Sequence, residues 1–315
     1  MLYVFIVFGF ILFFIIYALV FSRSKTLGKF IFNKAMASEQ KQAELTASSI
    51  DVDGTKISYY HNQTIAGRPT LLLLHGFTAD KTIWHRFAKL AKDDFNLVIP
   101  DMLGHGDTVY NRQQSHTLEA QTNMLMHLMT ALKVDRYFVS GNSMGGMITM
   151  QLLLSDKTRV EKAILLDPAG AKSQFALDMH DAGVNPFLLK TIPEFLELYG
   201  RTMATAPFVP PSVLEYLGQR DYLDRHDQLS HIFDDFFNID KFYDAPMSVE
   251  NETLHIIWGE KDDLLPVSDA QMWTSMTQAS LSIYPEIGHM PMVECPKRTY
   301  QECKNFFMRQ LSSNV

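Results

Sequence analysis

Tyr137-Phe138-Val139-Ser140-Gly141-Asn142-Ser143-Met144-Gly145-Gly146 carries a bulky apolar run straight into a serine framed by glycines. The apolar run reads as a strand, and the stretch of about 144–156 that follows reads as a helix. Ser143 therefore falls on a strand-to-helix turn, the setting that the G-x-S-x-G nucleophile elbow requires. A serine on such a turn takes strained backbone geometry, so its neighbours two positions away must be small. Gly141 and Gly145 meet that demand.

The same kind of run recurs along the chain. Thr70-Leu71-Leu72-Leu73-Leu74, Leu97-Val98-Ile99, Ala163-Ile164-Leu165-Leu166, Leu254-His255-Ile256-Ile257-Trp258 and, more weakly, Leu281-Ser282-Ile283-Tyr284 read as strands. Ile50 to Tyr60 reads as a hairpin about Asp53-Gly54. Unbroken apolar runs mark strands buried on both faces. Helix-length stretches at about 80–92, 116–132, 268–277 and 296–312 lie between them. The alternation predicts an α/β chain with a mostly parallel central sheet flanked by helices, over residues 48–315. The rhythm stops at 171–246, where apolar residues are spaced among prolines. That interval reads as an inserted helical cap, or lid. Its residues Phe187, Leu188, Ile192 and Phe195 recur at helical spacing and are candidates for substrate binding.

A serine hydroxyl attacks only with a base beside it, and the base needs an orienting carboxylate. In elbow enzymes the chain order is serine, acid, histidine. His289 follows the last strand, at the sheet's C-terminal edge. Trp258-Gly259-Glu260-Lys261-Asp262-Asp263 offers two adjacent carboxylates after the strand before it. A tetrahedral intermediate also needs two N–H donors. Met144, after the nucleophile, supplies one, and Phe77 in His75-Gly76-Phe77 supplies the other. His75 and the loop Asp101 to Asp107 read as architecture without a catalytic role.

The chain has 315 residues and a net charge of -7, which gives no footprint for nucleic acid. Its two cysteines, Cys295 and Cys303, form no disulfide framework, and no CxxC or HExxH metal signature is present. Leu2 to Phe21 is free of charge, with only Gly9 outside the hydrophobic set. Twenty helical residues span about 30 Å, the depth of a bilayer core. Residues 1–22 are therefore expected to be a single-pass transmembrane anchor, with the lipid bilayer as partner, and 23–47 a juxtamembrane linker or helix. Arg23, Lys25, Lys29 and Lys34 follow the run with no acid before Glu39, which places the body on the cytoplasmic face. Asn62-Gln63-Thr64 and Asn251-Glu252-Thr253 match the glycosylation pattern.

These residues resemble the α/β-hydrolase superfamily across roughly 50–315, with its motifs in order. The chain looks most like the membrane-anchored monoacylglycerol lipases and related cold-adapted bacterial lipases of that superfamily. His75-Gly76-Phe77-Thr78-Ala79-Asp80-Lys81-Thr82-Ile83-Trp84, Asp101-Met102-Leu103-Gly104-His105, Ser143-Met144-Gly145-Gly146, Asp167-Pro168-Ala169-Gly170, Ile257-Trp258-Gly259-Glu260-Lys261-Asp262 and Gly288-His289 with Glu294 and Pro296 carry the likeness. The resemblance implies the α/β-hydrolase fold and Asp262, not Asp263, as the acid beside Ser143 and His289. It implies cleavage of acylglycerols, monoacylglycerols foremost, or of similar lipid esters, with no metal or organic cofactor. Two other readings stand beside it. Carbon–carbon bond hydrolases of ring-fission products share Gly141 to Gly146, but usually carry a glycine-proline-glycine oxyanion loop and a tryptophan after the histidine. A non-catalytic, membrane-tethered ligand receptor would use the same pocket.

Overall fold

The computed structural model describes residues 2–20, 23–183, 185–250 and 252–309. Eight strands form one sheet: β1 (Thr46–Val52), β2 (Thr55–His61), β3 (Thr70–Leu74), β4 (Asn96–Pro100), β5 (Tyr137–Asn142), β6 (Val160–Leu166), β7 (Leu254–Gly259) and β8 (Ser280–Tyr284). Their order is β1-β2-β4-β3-β5-β6-β7-β8. β2 runs antiparallel to β1 and β4, and every other pair is parallel. Every residue of β4, β5 and β7 is buried.

The helices are α1 (Leu2–Val20), α2 (Lys25–Gln42), α3 (His85–Ala91), α4 (Leu118–Ala131), α5 (Met144–Ser155), α6 (Gln174–Asp181), α7 (Ile192–Arg201), α8 (Pro211–Leu217), α9 (His226–Phe236), α10 (Asp269–Thr277), α11 (Pro291–Glu294) and α12 (Pro296–Met308). Successive strand residues point to opposite faces, so the apolar runs feed two cores. Leu72, Leu74, Val139, Leu165 and Ile256 pack with residues of α4, α5 and α10. Leu71, Leu73, Phe138, Ile164, Leu166 and Ile257 pack with residues of α3 and α12. The expected strands all form, several one to four residues longer than their apolar centres. The hairpin begins at Thr46 rather than Ile50, because backbone pairing with β2 continues through polar residues.

Between β6 and β7, α6 to α9 replace the strand–helix rhythm. The two ends of this insertion meet at a bridge between Ala171 and Tyr243. Residues 25–42 form a true helix, α2, capped by the Ser24 hydroxyl and packed against α8. The contact is close enough that a Cβ on Gly28 would lie 1.8 Å from the Ser212 carbonyl oxygen.

The apolar N-terminal run forms α1, but its expected role as a membrane span is not carried by the structure. Among the described residues, no helix is long and apolar enough to cross a membrane. Residues 1, 21 and 22 of the expected anchor lie outside the described residues. So does Asn251 of the second glycosylation match. The first match is sealed, because Asn62 is buried with its amide donating to the carbonyls of Lys92 and Phe95.

Candidate active site

The turn after β5 holds Ser143 at φ 57°, ψ −117°, a conformation that costs an L-residue about 1–3 kcal/mol. The neighbouring glycines are needed for space. A Cβ on Gly141 would sit 2.1 Å from the Gly145 carbonyl oxygen, and one on Gly145 would sit 2.5 Å from that of Leu74. The turn is pinned by backbone bonds. Ser143 N–H donates to Leu166 O at 3.0 Å, and Ser143 O accepts from Gly146 and Ala169.

Asp262 and His289 arrive on separate loops, after β7 and β8, and meet. His289 Nδ1 lies 2.7 Å from Asp262 Oδ2, with the Asp262 side chain fully covered. Asp262 Oδ1 accepts from the N–H groups of Leu264 and Leu265 at 2.8 and 3.0 Å. Because Asp262 is a bare acceptor, the imidazole proton sits on Nδ1 and leaves Nε2 free. Asp263 turns away. Its carboxylate binds the Arg201 guanidinium at the surface.

His289 and Ser143 line the same two cavities. Gly76 packs beside the serine, where an added Cβ would fall 3.2 Å from Ser143 Cβ. Phe77, next in the chain, has its ring edge-on to Phe187, Phe233 and Phe237. Met144 opens α5, so its N–H has no partner within the helix. Phe77 lines the first cavity together with Ser143. His75 is structural in this geometry: Nδ1 donates to Gly76 O and Nε2 accepts from Met102 N–H. Burial holds its pKa down at about 4, so the ring is neutral. The loop after β4 braces the same region, with Asp101 accepting from the Lys81 and Asp107 N–H groups and pairing with the Lys81 ammonium.

The first cavity, about 280 Å³, runs from Ser143 past Thr78, Phe187, Phe195 and Tyr222 to Phe32, Met36 and Glu39 of α2. The second, about 310 Å³, is walled by Pro168 to Ala171, Phe187, Phe233, Phe237 and Phe242. Of the four substrate-binding candidates, Phe187 lines both cavities and Phe195 the first. Leu188 and Ile192 are not brought there. Leu188 packs against the main core, and Ile192 approaches Gly218. Their expected helical spacing is not realised at Phe187 and Leu188, which lie in the turn before α7, so no helical face orders the four together.

Three features escaped the sequence reading. The Asn142 amide donates to Leu166 O and to His289 O at 2.9 Å, tying the histidine loop to the elbow. Glu294 accepts from the N–H groups of Gly288 and Thr205, joining the same loop to the segment after α7. Asp167 is fully buried beside Asp262. Burial, reinforced by the Asp262 charge, pushes its carboxyl well above the usual range. Its place at the end of an apolar strand was the available signal. Asp167, Asp262 and His289 stand close enough to share a cation, but the Asp262 oxygens already face three N–H donors.

The alpha/beta hydrolase family model matches residues 71–302. Lipase 1 of Psychrobacter immobilis is 29% identical over 282 residues, covering 87% of each chain. Monoacylglycerol lipase ABHD6 of Homo sapiens is 25% identical over 272 residues, covering 78% of this chain and 80% of its own. The crystal structure of a membrane phospholipase A, described as a bacterial virulence factor, superposes with a TM-score of 0.79 at 26% identity, covering 96% of this chain and 97% of that one.

Proposed function

The chain belongs to the alpha/beta hydrolase family, and from that premise we propose that it cleaves acylglycerols, monoacylglycerols foremost, through an acyl-enzyme on Ser143. That it is a carboxylic ester hydrolase of lipase type follows from its lipase relatives and hydrolase neighbours. The observation that carries the finer reading is His289, buried and paired with Asp262, which lines the same two cavities as a strained elbow serine.

In this reading His289 Nε2 takes the Ser143 proton as Oγ attacks the ester carbonyl. Asp262 fixes the tautomer and stabilises the imidazolium. The oxyanion is held by the N–H groups of Phe77 and Met144. The tetrahedral intermediate collapses, His289 protonates the departing alcohol, and water releases the acid by the same path. The second cavity, aromatic and apolar beside the serine, takes the acyl chain. The first, which also carries Glu39, Thr82 and Arg86, takes the alcohol. Residues 171–246 act as a cap, since Phe187, Phe233 and Phe237 from this segment wall the acyl cavity.

The reading also assigns α1 to the lipid bilayer. The described side chains of α1 are apolar and exposed, and both a monoacylglycerol lipase and a membrane phospholipase A resemble the chain. The cations Arg23, Lys25, Lys29 and Lys34 then keep the body on the cytoplasmic face.

Ser143→Ala should lower ester turnover by about 10⁵-fold or more. A panel of mono-, di- and triacylglycerols, with a ring-fission diketone included, tests the substrate class. Preferred diketone cleavage would overturn the lipase reading. Labelling by a fluorophosphonate without repeated turnover of any ester would point to a receptor instead.

A further inference from the structure

Asp167 ends β6 with φ 43° and no solvent exposure. Its Oδ1 accepts from Gly259 N–H at 2.7 Å, while its Oδ2 makes no hydrogen bond among the described residues. An orphaned carboxylate oxygen in a sealed site requires an explanation. One lies next to it. Polar atoms of Asp167, Asp262 and His289 all fall within 4.8 Å of one another. Two carboxyl groups this close, away from water, cannot both be ionised, so one retains a proton.

The donors decide which one. Asp262 already accepts from three N–H groups, of Leu264, Leu265 and His289. Asp167 faces a single N–H. The shared proton therefore rests on Asp167 Oδ2, pointing at the one lone pair that Asp262 has left. The raised pKa of Asp167 agrees with this assignment.

We propose that Asp167 is a positioning residue for ester hydrolysis, donating its carboxyl O–H to Asp262 and able to replace Asp262 as the partner of His289. This rests on the proposed Ser143–His289–Asp262 site. At rest the O–H holds Asp262 in register with the imidazole. When the Asp262 carboxylate is removed, the charge that reinforced burial in keeping Asp167 neutral is gone, and the imidazolium is left as its nearest counter-charge. Asp167 then ionises and faces the imidazole directly.

Hydrogen-bond direction sets the variants. In Asp167→Asn the amide oxygen faces Gly259 N–H, so its NH₂ faces Asp262 and reproduces the donor. Asp167→Leu removes the donor. In Asp262→Ala the carboxylate is gone and space remains beside His289. Asp262→Asn is unsuitable, because Leu264 and Leu265 fix its oxygen and turn its NH₂ toward Nδ1, forcing the wrong tautomer.

The test measures kcat and KM for a p-nitrophenyl ester against pH in the full chain. Asp167→Asn should stay within about threefold of the parent, and Asp167→Leu should lose about tenfold in kcat at unchanged KM. Asp262→Ala should keep at least about tenfold more kcat than Asp262→Ala/Asp167→Asn, whose loss should approach ~10⁴. Only the single variant should gain activity as pH rises through the ionisation of Asp167. Equal rates for Asp262→Ala and the double variant, or Asp167→Asn no better than Asp167→Leu, would overturn the proposal. Should Asp167→Leu fail to fold, the first comparison alone decides. Full turnover by Asp262→Ala/Asp167→Asn, or by Ser143→Ala, would instead sink the catalytic site on which this rests.

Discussion

Ser143 holds φ 57°, ψ −117° at the end of β5, a region that glycine enters freely and alanine does not. Replacement by glycine releases strain in the folded chain but adds freedom to the unfolded one. The first effect is larger by about 1 kcal/mol. Ser143→Gly should therefore melt a few degrees above Ser143→Ala, both being inactive, as calorimetry would show. Equal melting temperatures would mean that the turn is unstrained. At this scale Ser143 and His289 were legible in the sequence, because a glycine-framed serine after a strand has few other uses. The partner of His289 was not legible from the residues themselves, and only the family resemblance pointed to Asp262. Asp262 and Asp263 are chemically identical neighbours, and only the loop's path sends one to the imidazole and the other to Arg201. Asp167 was less visible still, since nothing in its sequence neighbourhood reports a second carboxylate from ninety-odd residues later.

At the scale of elements, β3 and β5 announced themselves because both of their faces are buried and their runs are unbroken. β8 lies at the sheet edge, half covered, and its pattern is correspondingly weak. α2 illustrates a different limit. Its sequence gave a basic, polar stretch that could be linker or helix. Packed on α8, it walls a cavity that reaches Ser143. Gly28 is the hinge of that contact, because only hydrogen fits against the Ser212 carbonyl. Gly28→Leu should push α2 off α8 and widen the cavity mouth. The expected result is a severalfold rise in KM for esters with a large alcohol part, with kcat for a small ester nearly unchanged. An unaltered KM across alcohol sizes would remove α2 from the substrate path.

For the whole molecule, the sheet and its last helix are joined by a polar contact with a pH signature. Glu302 on α12 binds His255 of β7 and Tyr284 of β8. Burial opposes its charge, but hydrogen bonds from His255, Ser282 and Tyr284 prevail and hold the carboxyl at about 2, against an ordinary 4.5. A depressed carboxyl stabilises the fold above its unfolded value, and that contribution is lost as pH falls from about 4.5 towards 2. The shift corresponds to about 3 kcal/mol at most. Urea unfolding of Glu302→Gln should depend less on pH across that window than unfolding of the parent. The proposed tether is testable at the same scale. The full chain should stay with vesicles after an alkaline carbonate wash, and a chain beginning at Ser24 should wash off. Protease added outside sealed inverted vesicles should reach the body if it faces the cytoplasm.

Periodicity and glycine spacing determined the parallel sheet, the elbow and the order of its partners. These follow from local rules, namely which runs must be buried on both faces and which turns only small residues can make. The pairing of Asp167 with Asp262, the hold of Asn142 on His289 and the reach of α2 into the cavity were decided by the tertiary structure alone. Each joins groups on separate loops or helices. Their meeting depends on how strands are ordered across the sheet, and no local pattern records that order.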